Sequence, residues 1–188
     1  MPTNTNRATL FSNDLSRRLF DLSKTDLLKG YCWKKNGHPE KWMRECADAK
    51  GPPKNNRCPI VFVEAELRRG NPESNVAKIW KWLEAHPPEN PVLLIQAFSM
   101  YYDSSSPQVH KETAIFLGQQ MCKARKDIRY IHIDMAYQPG PGNTVKGAGR
   151  RTQHAYKLAE DVACEVRNEL ESLNLQNAEA PMAKAHNA

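Results

Sequence analysis

The sequence predicts an α/β domain in which helices cover both faces of a central sheet. Two near-continuous apolar runs, residues 59–67 and 91–98, read as buried strands. Stretches with apolar residues at helical spacing stand before, between and after them. Strands alternating with helices in this way imply βαβ units and parallel pairing, with both sheet faces covered.

The elements follow in chain order. Residues 8–23 place Phe11, Leu15, Leu19 and Leu22 at helical spacing, which predicts an amphipathic first helix with Arg17 and Arg18 turned outward. Residues 30–59 hold Trp33, Gly37, Pro39, Trp42, Gly51, Pro52 and Pro53 and predict one or two short strands or turns. Within the strand at 59–67, Ile60, Phe62, Glu64 and Glu66 share one face, and Val61, Val63, Ala65 and Leu67 the other. Residues 68–71 form a turn, Pro72 suits a first helical turn, and 75–85 run as a helix with Val76, Ile79, Trp80 and Leu83 as its apolar face. Pro87 and Pro88 stop it. After the strand at 91–98 comes a polar loop, 101–109, then a helix over 110–124 burying Ala114, Leu117 and Met121. A third strand spans 130–136. A Gly/Pro loop at 138–149 leads into a long helix, 152–173, with Tyr156, Ala159, Ala163, Val166 and Leu170 inward. The expected domain covers 8–175, with 176–188 as a disordered tail.

A chain of 188 residues normally makes one domain with a substantial core. No apolar run approaches the roughly 20 residues that cross a bilayer, and residues 1–9 lack the apolar stretch of a secretory signal. Five scattered cysteines with no CxxC pair favour reduced thiols and a cytoplasmic setting. Cys32, His38, Cys46 and Cys58 match no zinc spacing. The formal charge of +6 gathers at Lys34–Lys35, Arg68–Arg69, 123–126 and 146–151, patches that suit a polyanion.

Glu64 and Glu66 are the exception in an otherwise apolar strand. They share a face about 7 Å apart by strand rise, which is costly if both are desolvated and unpaired. They must therefore meet solvent near the strand end, pair with Arg or Lys, or bind a cation. Oxygen ligands suit Mg²⁺ or Mn²⁺ rather than zinc. Gln96, on the neighbouring strand, is a candidate to point into the same pocket.

The segment Val61-Phe62-Val63-Glu64-Ala65-Glu66-Leu67, followed by Asn75-Val76-Ala77-Lys78-Ile79-Trp80, resembles the PD-(D/E)XK, or restriction-endonuclease-like, nuclease superfamily. The order of helix, short strands, acidic strand, helix, strand and helix resembles it too. The resemblance covers about residues 8–98. It implies a three-layer core, a mixed central sheet flanked by helices, and hydrolysis of DNA phosphodiester bonds with Mg²⁺, or Mn²⁺ in its place. Carried over by position, Glu64 is a metal ligand and Glu66 stands where the motif has its lysine. Asp48, or alternatively Glu45, would be the upstream acid. The chain departs from the motif in having no Pro before Asp48 and no motif lysine. Lys78 is either the helix-borne substitute for that lysine or a solvent-facing residue; at about 100° per residue its phase is roughly opposite the Val76/Leu83 face. Asn75 and Trp82 sit closer to the strand.

Arg68, Arg69, Lys146, Arg150 and Arg151 are the candidate DNA-backbone contacts, the last three in a glycine-rich basic loop before a helix. That loop matches neither the P-loop nor the dinucleotide fingerprint. His132 and Asp134 alternate on the third strand and read as a rim pair. The function expected is a metal-dependent DNA endonuclease or a nuclease-derived DNA-binding protein. The alternatives are a non-catalytic binding or assembly module of the same fold, and an α/β enzyme acting on a phosphorylated small molecule. A membrane partner is not expected; the oligomeric state is left open, a homodimer included.

Overall fold

A computed structural model describes residues 7–31, 33, 49–51, 58–139 and 148–179. Helix α1 (Arg7–Leu22) leads to a short 3₁₀ turn (Asp26–Leu28) and strand β1 (Ala49–Gly51). Then come β2 (Ile60–Glu66), α2 (Glu73–Ala85), β3 (Val92–Ser99), a 3₁₀ turn (Met100–Asp103), α3 (Ser105–Ala124), β4 (Ile128–Met135) and α4 (Ala148–Glu179). The sheet order is β1-β2-β3-β4. β1 runs antiparallel to β2, while β2, β3 and β4 are parallel.

The strand alternation read from sequence divides the core as expected. Val61 and Val63 of β2, with Leu93, Ile95 and Ala97 of β3, join Phe11, Leu15, Leu19 and Leu22 of α1 and the inner face of α4. Phe62, Leu94 and Phe98 point the other way, onto Val76, Ile79 and Leu83 of α2 and Ala114 and Met121 of α3. All eight residues of β3 are buried, which is what a central strand covered on both faces requires. Each large apolar side chain so enclosed contributes roughly 1.5–3 kcal/mol of transfer free energy.

Some expectations shift. The residues expected as a polar loop at 101–109 are the 3₁₀ turn and the first turn of α3, which opens at Ser105. Ser99 starts this turn by accepting from the Tyr101 N–H, a local cap that composition alone does not reveal. β4 begins at Ile128 and is buried only at Ile128 and Met135, with Arg129, His132 and Asp134 exposed, as suits the outermost of the described strands. α4 begins at Ala148, so Arg150 and Arg151 belong to its first turn rather than to the loop before it. Its buried stripe is Ala155, Leu158, Ala159, Val162, Ala163 and Val166. Tyr156 lies at the margin of that stripe, under the Arg18 guanidinium. α4 also runs to Glu179, past the expected domain end at 175, as suits a segment rich in the strong helix formers Ala, Glu, Leu and Gln.

Charged residues fasten α1 to α4. Asp14 accepts from Thr152 (2.8 Å) and from Arg151, whose Nη2 lies 3.1 Å away. Arg18 donates to Glu160 at 2.6 Å. At the far end of the sheet Arg125 donates to the Leu83 carbonyl and, in a two-pronged contact, to Asp127. The bond to Leu83 holds the α3–β4 turn on the end of α2, and the Asp127 contact braces the turn itself.

Gly118 permits the close approach of α3 to β4: a Cβ there would stand 2.5 Å from two atoms of the Tyr130 ring. That ring cannot retreat freely, since its hydroxyl donates to Gln96 at 2.9 Å. Gly118→Ala is therefore expected to destabilise the fold by about 1–3 kcal/mol through overpacking, despite the gain of up to about 1 kcal/mol in helix propensity. Urea unfolding measures it, and a neutral or stabilising result would contradict the packing described.

Candidate acidic site

Glu64 and Glu66 emerge from β2 on the face turned to α2 and α3, and both are buried, at 6% and 2% exposure. They flank Ala65 in the last three positions of the strand. The first turn of α2 delivers Asn75, itself 3% exposed, directly against them. The Asn75 side-chain nitrogen donates to Glu64 Oε2 at 3.1 Å and to Glu66 Oε1 at 2.8 Å. A single amide thus uses its two hydrogens on two carboxylates.

Gln96 of β3 supplies the next donor. Its Cα is paired with that of Glu64, and its nitrogen donates to Glu66 Oε1 at 2.9 Å and to the Pro72 carbonyl at 3.1 Å. Tyr130 of β4 donates into the Gln96 oxygen. The donor and acceptor roles around Gln96 fix its amide orientation, because Pro72 can only accept there. Hydrogen bonds therefore run across three strands, from Tyr130 through Gln96 to Glu66.

On its outer side Asn75 meets cations. Arg69 Nη1 lies 2.7 Å from Asn75 Oδ1, and Lys78 Nζ lies 3.5 Å from the same oxygen. Lys78 is exposed, as its helical phase predicts, yet its long side chain reaches back to the mouth of the site. The rim is stitched by Tyr102, whose hydroxyl accepts from the Arg69 N–H and donates to the Arg69 carbonyl, both at 2.9 Å. Ser99 Oγ donates to the Leu67 carbonyl. Arg68 stands 5.2 Å over the Tyr101 ring.

The other predicted residues divide. Asp48, Glu45 and Lys146 lie outside the described residues. Arg150 is exposed on α4, whereas Arg151 is engaged by Asp14. That pairing also places Asp14 between α1 and α4, on the opposite face of the sheet from the acid pair. His132 is exposed, and Asp134 pairs with Lys111 at 2.8 Å. Trp82 leans on Phe62 and stacks on His86. Among the described residues no three acids, histidines or cysteines gather closely enough to hold an ion.

Sequence reasoning anticipated Gln96 and the nearness of Asn75, but not the bridge that Asn75 makes or the part of Tyr130. A polar residue on the buried stripe Asn75, Val76, Ile79 and Leu83 was the available signal for the first. For the second, only the pairing of β3 with β4 brings Tyr130 beside Leu94 and within reach of Gln96.

Burial drives the Tyr130 and Tyr102 hydroxyls well above the ordinary tyrosine range, and the Glu66 charge adds to the shift in each. The folded chain therefore keeps both protons where an unfolded tyrosine, with a pKa of about 10, loses its own. Their contribution is complete below that pH and is lost as pH rises above it. Tyr130→Phe and Tyr102→Phe should each flatten the decline of stability between pH 9 and about 11, while Tyr130→Phe costs about 1 kcal/mol at neutral pH. Denaturant unfolding across that range checks it; an unchanged alkaline slope in both variants would refute the assignment. No protein-family model, no curated protein and no solved structure matches this chain.

Proposed function

We propose that the chain is a metal-dependent DNA endonuclease, or a DNA-binding protein derived from one, with the three-layer restriction-endonuclease-like core. The observation that carries the reading is the convergence of Glu64 and Glu66 on Asn75 at the end of β2, with Arg69 and Lys78 alongside. The topology supports it. A helix and an antiparallel strand precede the acidic strand, and a helix then carries the chain to a parallel neighbour. Functional groups of such sheets gather at strand carboxyl ends.

The oxygen donors of Glu64 and Glu66 fit Mg²⁺ or Mn²⁺. Asp48 is the proposed further ligand, with Glu45 second. A bound ion would lower the pKa of a coordinated water and stabilise charge on a phosphate. Glu64 would hold the ion; Glu66, oriented by Asn75 and Gln96, would accept a proton from or orient the attacking water. Arg69 and Lys78 would take the phosphodiester charge, and Arg68 and Arg150 would extend the basic surface.

The amides on the acid pair favour a second reading, a non-catalytic DNA-binding or assembly module, since they satisfy carboxylate oxygens without any ion. The third reading, chemistry on a phosphorylated small molecule, rests on the glycine-rich segment 140–151, of which 140–147 lie outside the described residues and 148–151 open α4.

Cleavage assays with Mg²⁺ and Mn²⁺ on single- and double-stranded DNA decide between the first two. Glu64→Gln should lower cleavage by more than about 100-fold, beyond the 10- to 100-fold typical of groups that merely support a metal ligand, while the fold and metal-free DNA binding persist. If wild type cleaves none of these substrates with either metal, the binding-module reading replaces the nuclease.

DNA affinity should also fall with salt, and Arg68→Ala and Arg150→Ala should each reduce the log–log salt slope by about one. Arg151→Ala should act mainly on stability, because Asp14 already neutralises it. Binding that ignores salt would remove DNA as the partner.

A further inference from the structure

We infer that Asn75 is a positioning residue that couples two binding events: phosphate at Arg69 and Lys78, and a divalent cation at Glu64 and Glu66. The inference rests on the metal-dependent reading above and adds to it a regulation of that site. Its basis is the placement of one neutral amide between two donor-only groups and two carboxylates.

Arg69 and Lys78 meet the Asn75 oxygen at 2.7 and 3.5 Å, while its nitrogen meets Glu64 and Glu66 at 3.1 and 2.8 Å. Arginine and lysine can only donate, and ionised carboxylates can only accept. A flipped amide would set donors against donors on one side and acceptors against acceptors on the other, so a single orientation is enforced from both ends. Neighbours in such a chain polarise one another: a cation on the amide oxygen makes its N–H groups better donors. The same contacts that fasten the carboxylates therefore depend on Arg69 and Lys78 staying on Oδ1.

A phosphate arriving at the rim competes for those two cations. Drawing them from Oδ1 weakens the amide's hold on the carboxylates, which then yield more readily to a divalent ion. The coupling is positive, and by linkage the ion must tighten phosphate binding by the same factor. The site would remain closed on itself until its substrate backbone engaged the rim. Direct Coulomb attraction between phosphate and ion also favours joint binding, but it acts across space and survives removal of the amide. Replacing Asn75 separates the two contributions.

The experiment measures Mn²⁺ affinity of the full chain by titration calorimetry, without and with saturating oligothymidylate, in wild type and Asn75→Ala. The wild-type ratio of affinities is expected to be about tenfold, within the range common for coupled sites, and to fall to about two- or threefold in Asn75→Ala. A merely structural role would weaken each affinity or lower the melting temperature without altering that ratio. A parallel arm with inorganic phosphate distinguishes a free anion from a nucleic-acid backbone as the activating group; a wild-type ratio of one with both overturns the inference. Mn²⁺ uptake with a ratio unchanged in Asn75→Ala overturns the inference and leaves the proposed function standing. A wild type that takes up no Mn²⁺ overturns both. Should Asn75→Ala not fold, Lys78→Met at the exposed outer contact answers instead: a reduced ratio supports the coupling and an unchanged one overturns it.

Discussion

Two carboxylates enclosed on the inner face of β2 set the demand that the surrounding structure meets. Removing them from water without hydrogen-bond donors would cost several kcal/mol each, so the elements around them must bring donors to fixed positions. Asn75 comes from the start of α2 and Gln96 from the middle of β3. Neither donor would hold its place alone. Gln96 is oriented by the Pro72 carbonyl and Tyr130, and Asn75 by Arg69 and Lys78. The turn between β2 and α2 is in turn clamped by Tyr102 on both polar groups of the Arg69 backbone.

This demand divides the labour of the two sheet faces. The face under α1 and α4 is an apolar layer whose ion pairs lie at its helix–helix margin, at Asp14–Arg151 and Arg18–Glu160. The face under α2 and α3 changes character along the strands. It is apolar around Phe62, Leu94 and Ile128, and polar where Glu64, Glu66 and Gln96 follow. Rigid packing at the first end lets the second be held to hydrogen-bond tolerance, as a site built on strands and a helix start requires.

The basic residues are likewise not one population. Arg18, Arg125 and Arg151 spend their charge on carboxylates within the fold. Arg69 and Lys78 face the acid pair through Asn75, and Arg68 lies over an aromatic ring beside them. A net charge of +6 thus says little about where a polyanion would sit; the grouping at the end of β2 says more.

Much of the architecture was legible in the sequence because it rests on local period. The phase of β2 put Glu64 and Glu66 together on one face, and the apolar continuity of residues 91–98 marked a strand covered on both sides, as β3 is. Helical spacing placed Phe11, Leu15, Leu19 and Leu22 in the core. Boundaries set by side chain–backbone bonds, such as the Ser99 turn before α3, were not legible, and neither was the length of α4. The network around the acids was decided by tertiary structure alone. Which atom of Asn75 faces Glu66, that Tyr130 reaches Gln96, and that Arg151 belongs to Asp14 all depend on strand register and helix placement between residues far apart in the chain. Periodicity determines which face of an element a side chain occupies; only packing between elements determines what it meets there.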